Sequence, residues 1–281
     1  MILRARQHVF EFPRQPLLIG SVRLCFEEAL TCSNDTVSRA LAAARRVASE
    51  GADIVALDLE GLFPETVAGA ETRAIETCSA FVSAWKEICA PQLLALQNTP
   101  LQAARTLLPL GGDLLMNAPS VQHNEAGQVA ALCAEFGAGF IAQYGPQSGT
   151  ELSSESCNAA VFGEAEKYFD AVLRGAKASG LSDAFVALGV RLNWTDAAST
   201  EASLRLSSQM GRFQHFGRPV MLSDFPAGKA PDPADTNHSE RQTAGMVARV
   251  VQGLLGGVQL FHTQEVLAAG AGVRTLSAVL Q

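Results

Sequence analysis

The chain has 281 residues, of which 48% are hydrophobic and 17% are charged, and its formal net charge is -7. This length suits one large domain with a sizeable core, so we expect residues 1–281 to form a single domain with a core at about 17–270. The acidic balance, with no Lys/Arg run longer than two, excludes nucleic acid and an anionic membrane surface as main partners. A small-molecule ligand or a protein partner is favoured.

The six cysteines are scattered through the sequence without a CxxC pair. This pattern predicts reduced thiols in a cytoplasmic protein and no metal site. The N-terminal segment MILRARQHVFEFPRQP lacks a long apolar run, and no segment reaches about 18 uninterrupted apolar residues. We therefore expect neither a signal peptide nor a membrane span.

Apolar runs typical of buried parallel strands alternate along the chain with amphipathic segments typical of helices. Eight strands with crossover helices favour a closed barrel over an open sheet, so the predicted fold is α/β, a (β/α)8 TIM barrel. The predicted strands are 17–24, 54–59, 93–96, 114–116, 139–143, 184–190, 219–222 and 257–261. The predicted helices are 36–50, 70–89, 101–110, 126–136, 164–179, 201–216 and 241–255, with C-caps at Gly51, Gly137, Gly180 and Gly217.

Polar residues that end a strand or open the next loop gather at one face of a parallel barrel, where such folds keep their sites. The segment GADIVALDLEGLFP, residues 51–64, shows the pattern, because a buried strand is followed by two carboxylates. A mixture of carboxylates, amides and arginines suits a polar ligand such as a heterocycle or an anionic group. The positions selected in this way are Arg23, Glu27, Glu28, Asp58, Glu60, Gln97, Asn98, Asn117, Gln143, Arg191, Asn193, Asp224 and His262.

Arg23 directly follows a buried strand, where a charge is costly unless it is paired. Glu27, Glu28 and Glu60 are its candidate partners. A salt bridge at the pocket and an anion-binding role for Arg23 are equally open.

His262 and Asp224 end the eighth and seventh predicted strands. His262 could act as acid, base or phosphate ligand, or could be satisfied by a backbone carbonyl. Asp224 stands before a Pro-rich loop, where an aspartate that begins a turn is equally natural.

Several segments resemble the pterin-binding barrel family, whose best-known member is dihydropteroate synthase. They are Ile19-Gly20, the GADI segment through Glu60 and Pro64, the PVML strand at 219–222, Glu240-Arg241 and His262. The matches keep their order from about Leu17 to Val266, which supports the barrel. The third- and fourth-strand segments also resemble those of the related corrinoid methyltransferases.

The sequence departs from the family at positions that the resemblance assigns to ligand binding. Gln97 stands where the third-strand aspartate is expected, and Asn117 belongs to the fourth-strand pair as either its first or its second member. Ala187 replaces the sixth-strand aspartate. On the diphosphate side, Arg23, Leu62-Phe63 and Leu260 replace an asparagine, a Thr-Arg pair and an arginine. These replacements disfavour ordinary dihydropteroate synthase activity and a Mg²⁺ cofactor.

The resemblance implies a divergent member of the family that binds a pterin-like or other small polar ligand, in folate-like or methanopterin-like one-carbon metabolism. As an enzyme it would be a transferase, with Glu60 and His262 as catalytic residues. The predicted ligand-binding residues are Arg23, Asp58, Gln97, Asn98, Asn117, Gln143, Arg191 and Asp224. Two alternatives stay open: a catalytically inactive homologue that serves as a subunit or regulator, and an enzyme for an unrelated small polar substrate. The family's habit implies a homodimer.

Overall fold

A computed structural model describes residues 1–12, 15–24, 34–60, 62–63, 69–88, 91–117, 125–145, 155–192, 207–224 and 238–280. Of residues 34, 155–161, 224, 238–242 and 280 it describes the backbone only. Eight parallel strands close into a barrel, and the connecting helices lie outside it. The predicted (β/α)8 TIM barrel is confirmed.

The described elements run in chain order as follows. The strands are β1 (Ile2–Ala5), β2 (His8–Glu11), β3 (Leu17–Arg23), β4 (Ile54–Asp58), β5 (Leu93–Gln97), β6 (Leu114–Asn117), β7 (Gly139–Tyr144), β8 (Val186–Arg191), β9 (Val220–Asp224) and β10 (Leu260–Thr263). The α-helices are α1 (Asn34–Ser49), α2 (Ala70–Glu87), α3 (Leu101–Leu110), α4 (Glu125–Phe136), α5 (Glu155–Ala178), α6 (His238–Leu255) and α7 (Val266–Leu280). Two 3₁₀ helices cover Asp183–Phe185 and Met210–Phe216.

Strand alternation divides the apolar side chains into two cores. Ile19, Ala56, Met116 and Met221 belong to a cluster inside the barrel. Their strand neighbours belong to a larger cluster between the barrel and the helices. Because side chains alternate along a strand, this division fixes which residues point inward at both ends of the barrel.

An N-terminal hairpin closes the lower end of the barrel, where the strands begin. β1 and β2 pair antiparallel, and β1 contacts β7 and β8. Leu3, Ala5 and Phe12 join the inner core and are buried. The sequence did not predict this hairpin, which supplies the apolar floor of the barrel.

Polar side chains at the lower end also fix the strand register. Asp53, just before β4, accepts the backbone N–H of Leu18 at 2.8 Å. Asp113, just before β6, accepts that of Leu94 at 2.9 Å. Each carboxylate satisfies an N–H group on the preceding barrel strand, which would otherwise be buried without a partner.

Several helix boundaries follow the sequence signals, but α5 begins at Glu155, nine residues before its predicted start, and residues 201–206 of another predicted helix lie outside the described residues. α3 covers its predicted range, and the four predicted C-cap glycines all have positive φ, between 63° and 105°. The predicted helix 201–216 is wrong in its second half, where the chain forms the 3₁₀ helix Met210–Phe216. Gly211 lies there against the backbone of Gly256, and an added Cβ would be 3.0 Å from its oxygen. α7 follows the last strand and was not predicted.

The described helices were searched for a membrane span. None of them combines the length and the apolar character that crossing a bilayer requires.

Candidate functional site

The inward face of the barrel becomes polar at its upper end, where the strands finish. On β9, Met221 of the inner core is followed two residues later by Ser223, and on β10 Leu260 is followed in the same way by His262. This alternation places a ring of polar side chains above the apolar floor. Its inward-facing members are Ser21, Arg23, Asp58, Glu60, Gln97, Gln143, Arg191, Ser223 and His262.

Asp58 is the centre of a hydrogen-bond network in this ring, and its side chain is only 3% exposed. Its Oδ2 accepts from Nε and Nη2 of Arg23 at 3.2 and 3.0 Å. Its Oδ1 accepts from the Asn98 amide at 2.9 Å and from the backbone N–H of Glu60 at 3.1 Å. Four donors therefore compensate for the burial of this carboxylate.

Asn98 adopts a backbone conformation that is uncommon for a residue other than glycine. Its φ is 52°, in the left-handed region that asparagine tolerates better than most residues. This conformation turns the chain at the end of β5 and brings the amide onto Asp58. Local strain is typical of sites whose geometry is fixed by their surroundings.

Glu60 connects two arginines across the mouth of the barrel. Its Oε2 lies 3.5 Å from Nη2 of Arg23 and 3.6 Å from Nη2 of Arg191. In the closed strand order, β8, which carries Arg191, lies opposite β4, which leads to Glu60. The three side chains are about half exposed, with exposed fractions of 53%, 48% and 40% for Arg23, Glu60 and Arg191. The solvent-exposed part of this network therefore has two positive charges and one negative charge, and the buried Asp58 supplies the second negative charge.

Two glutamines lie deeper in the same ring. Gln97 ends β5 next to Asp58 in the strand register, and Gln143 lies near the end of β7; both are 2% exposed. Within the described part of the chain, Oε1 of Gln97 and Nε2 of Gln143 have no hydrogen-bond partner. A buried acceptor and a buried donor therefore face the barrel interior with unused hydrogen-bonding capacity.

Asn117 serves the loop after β5. Its Oδ1 accepts the backbone N–H of Thr99 at 3.0 Å, and its Nδ2 donates to the Thr99 carbonyl at 2.7 Å. It alternates with the inward-facing Met116, so its own strand position is outward. These contacts show that Asn117 positions the loop after β5. A ligand-binding role for Asn117 stays a prediction.

His262 and Ser223 form a buried pair on neighbouring strands. The serine Oγ lies 2.9 Å from Nδ1 of the imidazole, and neither residue is exposed. Burial, aided by the positive charge of Arg191, lowers the pKa of His262 to about 3. The ring is therefore neutral at physiological pH.

The described residues contain no cluster of three or more His, Cys, Asp or Glu that could hold a metal ion. The carboxylates at the mouth, Asp58 and Glu60, are already paired with arginines. A divalent cation would have to displace those arginines, so the residues that the structure describes do not fit the Mg²⁺ that the family resemblance raises.

The structure connects five of the ten predicted catalytic and ligand-binding residues. Arg23, Asp58, Glu60, Asn98 and Arg191 form one bonded network. The side chain of Asp224 and the residues Glu27, Glu28, Pro64 and Asn193 lie outside the described residues.

Two details of the site differ from the sequence analysis. Arg23 forms a salt bridge, one of the two roles left open, but its closest carboxylate is Asp58, which was not among its proposed partners. The sequence analysis also missed Ser223 and Thr99. Strand alternation from Met221 was the signal that could have identified Ser223, whereas no sequence signal pointed to Thr99.

No family model and no curated protein sequence matches the chain. Solved structures of dihydropteroate synthases do match its fold. The enzyme from Coxiella burnetii, in complex with pteroic acid, has a TM-score of 0.75 at 16% identity, covering 99% of this chain and 98% of that one. The enzyme from Vibrio fischeri has a TM-score of 0.77 at 12% identity, covering 100% and 98%. The Xanthomonas albilineans enzyme with 4-aminobenzoic acid has a TM-score of 0.73 at 17% identity, covering 99% and 98%. The resemblance predicted from the sequence is therefore confirmed at the level of fold, and this chain has the barrel of the dihydropteroate synthases along its whole length.

Proposed function

We propose that the upper end of this barrel binds a small planar heterocycle of the pterin type, in folate-like or methanopterin-like one-carbon metabolism. The observation that carries the proposal is the pair of buried amide atoms, Oε1 of Gln97 and Nε2 of Gln143, which lack partners within the described residues. Each such group costs about 1–3 kcal/mol while it is unpaired. A ligand that offers a donor to Gln97 and an acceptor to Gln143 would remove both costs.

The chemistry of a pterin ring suits this arrangement. Its amino-pyrimidinone edge carries N–H donors beside carbonyl and ring-nitrogen acceptors, so one edge can satisfy both glutamines. The buried apolar side chains of Met116, Ile141 and Met221 lie around the glutamines: Met116 pairs with Gln97 in the strand register, and Ile141 precedes Gln143 by two residues on β7. An apolar floor beneath a few polar groups is the usual composition of a small-molecule site.

Gly189 makes room for this arrangement. A Cβ at this position would lie 2.7 Å from the Met221 methyl group and 3.2 Å from Cγ of Gln143. The glycine on β8 therefore lets the Gln143 side chain stay inside the barrel next to the apolar floor. The structure from Coxiella burnetii, which has the same fold, is a complex with pteroic acid, a compound that contains a pterin ring, and this supports a ligand of this class.

The proposal is for binding, because His262 is a weak base at neutral pH and Glu60 already lies in two ion pairs. An efficient general base has a pKa near the working pH, whereas the pKa of His262 is lowered to about 3. Glu60 is engaged by two arginines. Transferase activity through these two residues stays a prediction from the family resemblance.

The test is calorimetric titration and thermal denaturation with dihydropterin, its diphosphate with Mg²⁺, pteroic acid and 4-aminobenzoate. A ligand at about 100 times its Kd should add roughly 2.7 kcal/mol of stability. Gln97→Leu and Gln143→Leu should each weaken pterin binding by about 1–3 kcal/mol, because a ligand group then loses its partner. Gln102→Leu, on the exposed face of α3, is the matched control.

Two results would overturn the proposal. One is the absence of binding by every pterin in the panel. The other is pterin binding that both inward-facing glutamine variants retain at the affinity of the Gln102→Leu control. If none of these ligands binds and another protein co-purifies with this one, the alternative of a non-catalytic subunit would be favoured.

A further inference from the structure

The pair formed by Ser223 and His262 defines how the imidazole can meet a ligand. The two residues are directly opposite each other in the register of β9 and β10, and both point inward. The distance from Oγ to Nδ1 is 2.9 Å, and both residues are fully buried. The pair therefore has a fixed geometry without contact with solvent.

Hydrogen-bond satisfaction decides which ring nitrogen carries the proton. A neutral imidazole has one donor and one acceptor nitrogen, and a hydroxyl has a single proton to donate. If the serine donates to Nδ1, its proton is satisfied and the imidazole proton lies on Nε2. In the opposite tautomer the buried hydroxyl proton would need a second acceptor, and within the described residues His262 is the contact of this hydroxyl. The first arrangement is favoured because a buried unpaired donor is costly.

The surroundings also keep the ring neutral. The residues paired with His262 on its two neighbouring strands are Ser223 on β9 and Ile19 on β3, and neither is titratable. Burial lowers the pKa of His262 to about 3, and the positive charge of Arg191 on β8 adds to this shift. Protonation would place a second positive charge beside this guanidinium.

We infer that Ser223 is a positioning residue that holds His262 in the Nε2–H tautomer, so that the ring presents a neutral hydrogen-bond donor to a carbonyl oxygen or ring nitrogen of the bound heterocycle. The ligand part of this inference rests on the proposed function. The tautomer is a property of the protein without ligand and is tested separately. A neutral Nε2–H donates to a carbonyl oxygen or ring nitrogen without adding a second positive charge beside Arg191.

The first experiment measures the tautomer in ligand-free protein labelled with 15N-histidine, by long-range 1H–15N correlation at pH 7. We expect a protonated Nε2 and an unprotonated Nδ1 for His262, assigned by the loss of its signals in His262→Gln. His215 is an internal control, because its Nδ1 is expected to donate a hydrogen bond, whereas Nδ1 of His262 is expected to accept one. Its Nδ1 lies 2.6 Å from the Arg212 carbonyl oxygen, which can only accept, so this nitrogen must carry a proton.

The second experiment changes the serine. Ser223→Ala should convert the His262 signals to a mixture of tautomers and weaken dihydropterin binding about fivefold to tenfold, as expected for one neutral hydrogen bond. Ser223→Thr keeps a hydroxyl and should restore both the spectrum and the affinity. A merely structural role of Ser223 would not change the tautomer.

The inference is overturned if His262 in the unmodified protein is protonated on Nδ1 or is cationic at pH 7. It is also overturned if Ser223→Ala leaves the tautomer unchanged. The spectrum of the unmodified protein decides the matter even where the alanine variant does not fold. A failure of every pterin to bind would count against the proposed function and leave the tautomer result independent.

Discussion

Each end of the barrel holds an arginine against an aspartate, and the two ends use this pair differently. At the lower end Arg6 donates to the backbone carbonyls of Leu108, Gly112 and Phe136 at 2.5 to 3.2 Å, and lies 3.8 Å from Asp113. These carbonyls lie at or just beyond the C-terminal ends of α3 and α4, where a cation is favourable. Arg6 therefore ties the N-terminal hairpin to the C-terminal ends of two helices.

At the upper end Arg23 binds side chains instead of backbone. It pairs with the buried Asp58 and, at longer range, with Glu60, and about half of its side chain stays in solvent. The glutamines of the same ring keep unused donor and acceptor atoms. The comparison shows one end optimised for stability and the other left incomplete, as is typical where function competes with stability.

The largest loss of stability that we expect is from a substitution at the lower end. Arg6→Ala should destabilise the protein by about 3 kcal/mol, because carbonyl groups at two helix ends lose a charged donor and Asp113 loses a cation. Urea denaturation followed by circular dichroism measures the change. Arg4→Ala, on the exposed side of β1, is the control and should stay within about 0.5 kcal/mol of the unmodified protein. A loss below about 1 kcal/mol for Arg6→Ala would mean that the hairpin is held by its apolar contacts alone.

The next largest effect is a loss of folding stability at low pH, caused by His262 at the upper end. The pKa of His262 is lowered from 6.5 to about 3 in the folded protein, so between these values the unfolded chain binds more protons than the folded one. The contribution of His262 is therefore complete above pH 6.5 and is lost progressively as the pH falls toward 3. By about pH 5 the loss should reach roughly 2 kcal/mol.

Denaturation curves at several pH values check this effect against His262→Gln. The variant should lose less stability on acidification than the unmodified protein, by the amount that His262 contributes. Equal acid sensitivity in the two proteins would show that His262 is not held neutral by burial.

The barrel could be predicted from the sequence because its strands are continuous apolar runs, which differ sharply from the flanking helices. The run Ile54–Asp58 is buried at every position, and its boundary was predicted to within one residue. The hairpin was missed for a physical reason. β1 has only four residues, and its burial depends on its place below the barrel instead of on its own pattern.

The candidate site was predictable in position but not in its bonds. Strand ends identified Arg23, Asp58 and Gln97, because parallel strands all finish at one face. The sequence could not show that Asn98 would take a left-handed conformation to reach Asp58, or that Asn117 would bind the Thr99 backbone. Such partners depend on three-dimensional register, which a single sequence does not specify.

The smallest effect that we expect is at the mouth itself. Glu60→Gln removes ion pairs of 3.5 and 3.6 Å between half-exposed side chains, and such pairs contribute about 0–1 kcal/mol. Any loss should shrink further in about 1 M salt, because exposed charges are screened. Glu50→Gln, which removes a surface pair of 3.7 Å with Arg46, is the matched control and should behave alike.

A different result for Glu60→Gln would change the view of the upper end. A loss above about 2 kcal/mol that persists in high salt would mean that the ion pair of Glu60 with Arg191 stabilises the upper end of the barrel, as Arg6 stabilises the lower end. The two ends would then share one stabilising design, and a ligand would have to open this bridge to enter. A small, salt-sensitive loss leaves Arg23 held by Asp58 and keeps the mouth accessible, which is the arrangement that a binding site at the glutamines requires.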